Sequence, residues 1–269
     1  MIVIKALEIE PYFFIEWIYP ICYNVYMNKG EKDMHKIGFL GLGKMGSSIL
    51  NGILTKGLYG KEDILFYAPS KETQEKYTNI GIHLADNESD LVLKSSIIVL
   101  AVKPQKYDEI MSKVKSINCE EKVIISLAPG KSIDYLSKSF TNANIVRAMP
   151  NTPALVNHAV TTIAFSKGQV KEVTDIFSSI GTYVILEEKQ IDEAIPLNGS
   201  MPAYIFEFVK AFVESAKEYG LDSNDAFKLA LNSIIGSCEL ALNSSDDIDT
   251  LINNVCSKGG STKIGRAHV

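Results

Sequence analysis

Three glycines spaced G-x-G-x-x-G (Gly41, Gly43 and Gly46) stand between the apolar run Ile37-Gly38-Phe39-Leu40 and a helical pattern. Such a stretch could hold a dinucleotide's pyrophosphate. Gly41 allows the tight turn, Gly43 removes a side chain where backbone must approach phosphate, and Gly46 lets the helix lie close on the strand. The unpaired N–H groups and positive dipole end of that helix attract the anion. Leu42, Lys44 and Met45 complete the candidate cofactor loop. An acid about 20 residues further on would read the ribose 2′-hydroxyl of NAD. The chain has Phe66-Tyr67-Ala68-Pro69-Ser70-Lys71 there instead. Ser70 and Lys71 could hydrogen-bond and neutralise a 2′-phosphate, which favours NADPH and leaves NADH possible. A solvated lysine beside a helix-capping serine accounts for the pair equally well.

Ala101-Val102-Lys103-Pro104-Gln105 closes a second apolar run, and open α/β sheets bind ligands outside the carboxyl ends of their strands. Lys103 and Gln105 thus fall on the nicotinamide side of a crevice, although a proline-initiated helix explains Pro104 without any ligand. In Val146-Arg147-Ala148-Met149-Pro150-Asn151-Thr152-Pro153-Ala154, two prolines three residues apart fix the backbone and hold Asn151 and Thr152 as candidate ligand contacts. Two further segments each enter a helix: Asn198-Gly199-Ser200-Met201-Pro202-Ala203-Tyr204 and Cys256-Ser257-Lys258-Gly259-Gly260-Ser261-Thr262. Successive backbone N–H groups there could hold a small carboxylate. An interhelical turn is the plainer account of Gly259-Gly260. The four histidines, His35, His83, His158 and His268, fall outside all these segments. With no Ser-His-Asp or paired-carboxylate arrangement apparent, hydrolysis by a nucleophile and base is disfavoured.

The elements that must position these residues alternate short apolar runs with amphipathic stretches, the pattern of a parallel sheet with crossover helices. Strands are predicted at 36–40, 63–68, 82–84, 96–102, 122–127 and 144–148, then a strand at 159–165, a helix at 169–179 and a strand at 182–186. The 96–102 and 123–127 runs are β-branched and apolar on both faces, so they belong in the sheet centre. Near residue 190 the alternation stops. Ile205, Phe208, Val209, Phe212, Val213 and Ala216 mark a helix over 203–219 ended by Gly220. Asp222 or Ser223 caps the next, which runs to about 242, and a third spans 246–255. Three helices this apolar must pack on the sheet domain or on a second copy.

The 269 residues, 46% hydrophobic, are enough for one large domain or two modest ones. A net charge of -5 with scattered Lys and Arg leaves no footprint for nucleic acid. Cys22, Cys119, Cys238 and Cys256 stand far apart with no C-x-x-C, so no metal site is expected and a reducing cytoplasm is. Residues 11–27 are aromatic-rich, yet Glu16, Asn24 and two prolines interrupt them, short of the roughly 20 apolar residues of a membrane span. Glu8 and Glu10 argue against a signal peptide. Residues 1–33 are therefore expected to be a leader outside the fold, with Met34 as the natural start.

Taken in order, G-L-G-K-M-G, A-V-K-P-Q, R-A-M-P-N-T-P-A, N-G-S-M-P-A-Y and S-K-G-G-S-T over 34–263 resemble the pyrroline-5-carboxylate reductase family. The resemblance implies an α/β fold: a Rossmann-type, mostly parallel sheet domain over 34–190, then an all-helical dimerisation and substrate domain over 191–263. It implies a homodimer or higher homo-oligomer, with NAD(P)H reducing 1-pyrroline-5-carboxylate to L-proline at a site between domains of different subunits. On this carry-over Thr262 is the catalytic candidate, hydrogen-bonding the imine nitrogen. Ser200, Ser257, Gly259, Gly260 and Ser261 hold substrate. Gly41 to Gly46 hold pyrophosphate, Ser70 and Lys71 the 2′-phosphate, and Ala101, Val102, Lys103 and Pro104 the nicotinamide ribose side. Two departures stand out: Met201 where the family has glycine and Lys258 where it has proline. A related imine or β-hydroxy-acid reductase and a non-catalytic NADP-binding paralogue stay open as alternatives. The family also implies more helix after Lys263. The chain instead closes with Ile264-Gly265-Arg266-Ala267-His268-Val269, which lacks apolar periodicity and matches one reading frame of a sequencing adapter, so 264–269 are expected to be non-native.

Overall fold

The computed structural model describes residues 34–266; the expected leader and the last three residues of the expected non-native tail lie outside the described residues. β1 (His35–Leu40), β2 (Ile64–Tyr67), β3 (His83–Leu84), β4 (Ser95–Leu100), β5 (Val123–Ser126), β6 (Asn144–Met149), β7 (Ala159–Phe165) and β8 (Gly181–Ile185) form one sheet. Its order is β3-β2-β1-β4-β5-β6-β7-β8. The first six strands are parallel, joined by α1 (Lys44–Lys56), α2 (Lys71–Thr78), α3 (Glu88–Lys94), α4 (Tyr107–Val114) and α5 (Ile133–Ser137). This is the α/β Rossmann-type arrangement expected from the sequence, and the strand order reverses between β1 and β4, where such sheets open a ligand crevice. Leu40 is level with both Tyr67 and Leu100, so β1, β2 and β4 end together at that crevice.

β7 runs antiparallel to β6, which the apolar pattern alone did not indicate. The cause is length: residues 150–158 are too few for a parallel crossover, which takes a dozen or more. β8 then returns parallel to β7 through α6 (Lys171–Ser178). β4 and β5 lie in the middle of the sheet, as their two-faced apolarity requires. Alternate residues feed two cores. Ile37, Phe39, Ile97, Val99 and Ile125 pack with Ile49 and Ile53 of α1 and Phe177 of α6 on one face. Ile98, Leu100, Ile124 and Ile145 pack with Leu91, Ile110, Val114 and Phe140 on the other. Each fully buried side chain of this size contributes about 1.5–3 kcal/mol.

Beyond β8, α7 (Glu188–Glu193) was not visible in the apolar pattern because charges anchor it. Arg147 on β6, with 5% of its side chain exposed, reaches Asp192 Oδ1 at 2.8 Å and Glu188 Oε1 at 3.4 Å. The same Glu188 oxygen accepts the Ile133 N–H at 2.7 Å, so one buried guanidinium ties β6, α5 and α7 together.

A second compact unit begins at Met201. It contains α8 (Met201–Glu218), α9 (Ser223–Asn243), α10 (Ile248–Val255) and α11 (Ser261–Arg266). Gly220 (φ 81°) follows α8, and the Asp222 carboxylate caps α9 by accepting the Asn224 and Asp225 N–H groups. α11 continues to Arg266 although 264–269 show no apolar periodicity. Periodicity reports a buried face, and a short helix needs only local backbone bonds. Among the described residues no helix is long and apolar enough to cross a membrane.

Candidate active site

The three loop glycines do three different things. A Cβ on Gly41, whose φ is +92°, would lie 2.9 Å from both Ala101 O and Val102 Cγ1. One on Gly46 would lie 2.7 Å from Gly41 O, so that glycine is fixed by the close approach of α1 to the loop. Gly43 meets nothing within 4 Å and faces open space. Backbone bonds hold the loop rigid: Gly41 N–H donates to Tyr67 O and Ala101 N–H to Leu40 O, both at 2.9 Å. Ser47 N–H is the first to bond back, to Gly43 O, so the amides of Lys44, Met45 and Gly46 have no intrahelical acceptor. Gly43 offers no side-chain cap either. An open cradle with free amides at the head of a 13-residue helix fits a pyrophosphate. Leu42 is buried and Met45 packs on the core, which leaves Lys44 as the exposed side chain of the loop.

At the end of β2, Ser70 is the N-cap of α2, its Oγ accepting the Thr73 N–H at 3.5 Å. The capping reading of Ser70 is therefore correct, and it does not displace the other, because a hydroxyl that accepts one bond can still donate another. Gln74 Nε2 donates to Ala68 O at 2.7 Å and fixes the loop shape. Lys71 is exposed. Between the ends of β1, β2 and β4 lies a cavity of about 150 Å³ with Leu40, Tyr67, Pro69, Val102 and Ile110 in its wall. It has room for a flat base beside the cradle. A larger recess of about 1030 Å³ opens at the opposite, N-terminal ends of the strands, beside Lys36, Ser96, Lys122 and Asn144. Its Lys122 ammonium is committed to Ser95 O (2.7 Å) and Leu93 O (3.2 Å), and burial lowers its pKa. Size alone does not make that recess the site.

Lys103 and Gln105 are exposed just beyond β4, and Ala101, Val102 and Pro104 are half-buried beside them. Beneath them the Tyr107 hydroxyl donates to Leu100 O at 2.9 Å and lies 3.0 Å from Ser126 Oγ. Burial pushes its pKa up to about 12, so it is a neutral brace under the strand ends. Asn151 is buried, its amide donating to Asn198 O at 3.1 Å and accepting the Val160 N–H at 2.9 Å, so it clamps the chain; these two bonds use half of what the amide can make. Thr152 is exposed. Asn198 completes the clamp from the other side, donating to Met149 O at 2.8 Å. The charged wall of the cavity, Glu88, Lys106, Glu109 and Lys113, was also missed, though the i,i+3 and i,i+4 spacing of the last three is visible in the sequence.

In the second unit Gly260 N–H donates to Ser257 O at 3.0 Å, and Gly259 has φ +79°. Residues 257–260 thus form a turn of type II character, which demands positive φ at its third position. Gly260 contributes by lacking a side chain, since a Cβ there would lie 2.7 Å from Ser257 Oγ. Its amide is used within the turn. The amides of Ser261 and Thr262 open α11 without intrahelical acceptors, and both residues are exposed. Ser200, last residue of the first unit, is half-buried with its N–H on Ile195 O. Met201, 38% exposed, begins α8. Among the described residues no group of three His, Cys, Asp or Glu side chains could hold a metal ion.

Two family models match the chain. Residues 36–130 match NADP oxidoreductase coenzyme F420-dependent, and residues 188–269 match Pyrroline-5-carboxylate reductase dimerisation. The pyrroline-5-carboxylate reductase of Escherichia coli (strain K12) is 32% identical, covering 84% of this chain and 87% of its own. That of Methanosarcina acetivorans is 34% identical, covering 86% and 87%. Among solved structures, a pyrroline-5-carboxylate reductase from Coxiella burnetii superposes with TM-score 0.80 at 29% identity, over 87% of this chain and 89% of its own. The Plasmodium falciparum pyrroline carboxylate reductase with NADP bound gives TM-score 0.77 at 31% identity, over 88% and 89%.

Proposed function

The chain belongs to the pyrroline-5-carboxylate reductase family, and from that premise we propose that it reduces the C=N bond of 1-pyrroline-5-carboxylate to give L-proline, using NADPH. The observation that carries this reading is the cradle: Gly43 opens onto free space at the head of α1 while the first-turn amides have no intrahelical acceptor. The bound nicotinamide supplies a hydride to the imine carbon. The chain's own residues bind and orient, and the proton that the ring nitrogen takes up comes from solvent. Gly41 to Gly46 hold the pyrophosphate, Ser70 and Lys71 the 2′-phosphate, and Ala101 to Pro104 the nicotinamide ribose side. In the second unit, the free amides of Ser261 and Thr262 hold the substrate carboxylate beside the turn that Ser257, Gly259 and Gly260 form. The Thr262 hydroxyl hydrogen-bonds the ring nitrogen as that nitrogen gains its proton. Holding the partners in register and excluding water supplies most of what such a transfer needs, which is why no acid–base pair is required. The setting is the cytoplasm, and the assembly is a homodimer or higher homo-oligomer, the latter supported by the dimerisation-family match over 188–269.

The test is NADPH oxidation with 1-pyrroline-5-carboxylate, run beside a cyclic imine lacking the carboxylate and a β-hydroxy acid run in the oxidative direction with NADP. Turnover is expected with the first and near-background rates with the others. Preferential turnover of either alternative would assign the chain a different substrate, and NADPH binding without turnover of any would make it a non-catalytic relative.

A further inference from the structure

The cavity beside the glycine loop has a charged wall to which the cofactor contacts above give no role. Buried Glu88 pairs with Lys113 Nζ at 2.8 Å. Lys113 also reaches Glu109 Oε1 at 3.0 Å, and Glu109 Oε2 pairs with Lys106 Nζ at 3.0 Å. Four alternating charges thus run from a buried end to an open one. The two lysines are not equivalent. Lys113 donates hydrogen bonds to two carboxylates, which hold it and push its pKa up. Lys106 has a single carboxylate partner here, through the oxygen that Lys113 leaves unused, and 66% of its side chain is exposed. Pro69, the residue before Ser70 and Lys71, lines the same cavity of about 150 Å³. Lys106 and Pro69, one residue before the N-cap of α2, therefore border one small opening.

We infer that Lys106 is a second cation for the 2′-phosphate of NADPH, released from Glu109 as the cofactor binds. This rests on the reading of NADPH as the cofactor. Glu109 holds Lys106 in place beforehand and keeps Lys113 as its counter-ion afterwards, so the exchange leaves no carboxylate bare. An exposed i,i+3 pair is weak. A phosphate monoester carries about -1.5 to -2 charges near neutral pH, with three acceptor oxygens, and competes well for the ammonium. NADH lacks that phosphate and gains nothing from Lys106. Gly41 borders the same cavity, so the competing assignment puts Lys106 on the pyrophosphate, where both cofactors would feel it.

The experiment measures binding of adenosine 2′,5′-bisphosphate, adenosine 5′-monophosphate, NADPH and NADH to the full chain and to Lys106→Ala, Glu109→Gln and Lys71→Ala. Lys106→Ala should weaken the bisphosphate and NADPH about tenfold and the other two by less than about twofold. Glu109→Gln should tighten NADPH about two- to fivefold without changing NADH, a gain that shrinks when Lys106 is already alanine. Lys106→Gln, which keeps the length of the stem, should show the same selective loss should the alanine form melt early. Equal losses for all four ligands overturn the inference. So does no loss from Lys106→Ala while Lys71→Ala still weakens NADPH, an outcome that leaves the NADPH reading standing. An unaltered chain that binds the two adenosine phosphates alike overturns both.

Discussion

At the scale of single residues, the site separates groups that meet ligand from groups that hold them there. Thr262 belongs to the first kind. Thr262→Val keeps its shape and deletes the hydroxyl, so turnover should fall about ten- to a thousandfold with NADPH affinity retained, the range for one transition-state hydrogen bond. An unchanged turnover number would hand the role to water. Tyr107 belongs to the second kind, and its burial makes stability depend on pH. Its folded pKa is pushed up to about 12, against about 10 in the unfolded chain. Below about pH 10 both states keep the proton and this contribution is constant. Between about pH 10 and 12 the unfolded chain loses the proton while the fold retains it, so stability falls as pH rises. Tyr135, pushed up to about 12 by desolvation and then by its hydrogen bond to Asp108, acts in the same direction. Tyr107→Phe should therefore flatten the alkaline loss without abolishing it. At neutral pH it should cost about 1–2 kcal/mol, since Leu100 O and Ser126 Oγ lose a partner. Urea midpoints from about pH 8 to 11.5 check this, and parallel curves for the two proteins would refute it.

At the scale of elements, the sequence spoke clearly where one residue type serves one physical need. The strands and long helices were legible because burial imposes a period of two or of 3.6, and Gly220 because positive φ ends a helix. What stayed illegible depends on distant partners. Nothing local to Asn151 reveals that its amide ties the chain to Val160 and Asn198. Arg147 gave no sign that Asp192 and Glu188 would bury it. Lys258 is the opposite case, a departure from the family that the structure explains. It stands second in the 257–260 turn, where proline only pre-sets φ, and the turn closes without it, as the Gly260 N–H to Ser257 O bond shows. Lys258→Pro should stabilise the chain by about 0.4–1 kcal/mol through the unfolded state, with turnover equal or higher. Lost stability would mean that the lysine backbone adopts a φ proline cannot reach.

At the scale of the whole molecule, the two units differ in what they leave exposed. In the sheet unit, the central strands β1, β4 and β5 are covered on both faces by helices of the same unit, and exposed apolar side chains such as Leu155, Val156 and Val184 lie toward β7 and β8. In the helical unit only Val209 and Ala226 are buried among the described apolar side chains, while Tyr204, Phe206, Phe208, Phe212, Leu240 and Leu242 are each more than half exposed. Helical spacing announced Phe208 and Phe212 as part of an apolar face but could not say what covers it, since a second copy is invisible in one chain's local pattern. The Phe208 and Phe212 rings lie 4.7 Å apart, tilted by 56°, and with Leu229, Ala230 and Ile234 they line a groove of about 330 Å³ between α8 and α9. Exposed apolar side chains gathered along one groove mark an interaction surface. Burying one such side chain is worth about 1.5–3 kcal/mol. Sedimentation equilibrium should accordingly show self-association, and a Phe208→Ser, Phe212→Ser double variant should weaken it by about tenfold or more. The same variant should bind adenosine 2′,5′-bisphosphate within about twofold of the unaltered chain, because the cradle and its cavity belong wholly to the other unit. Turnover should fall with association if catalysis needs the assembled form. An unaltered chain that stays monomeric, or a variant that associates as before, would leave these aromatics without an oligomeric role and would require another partner for the helical face.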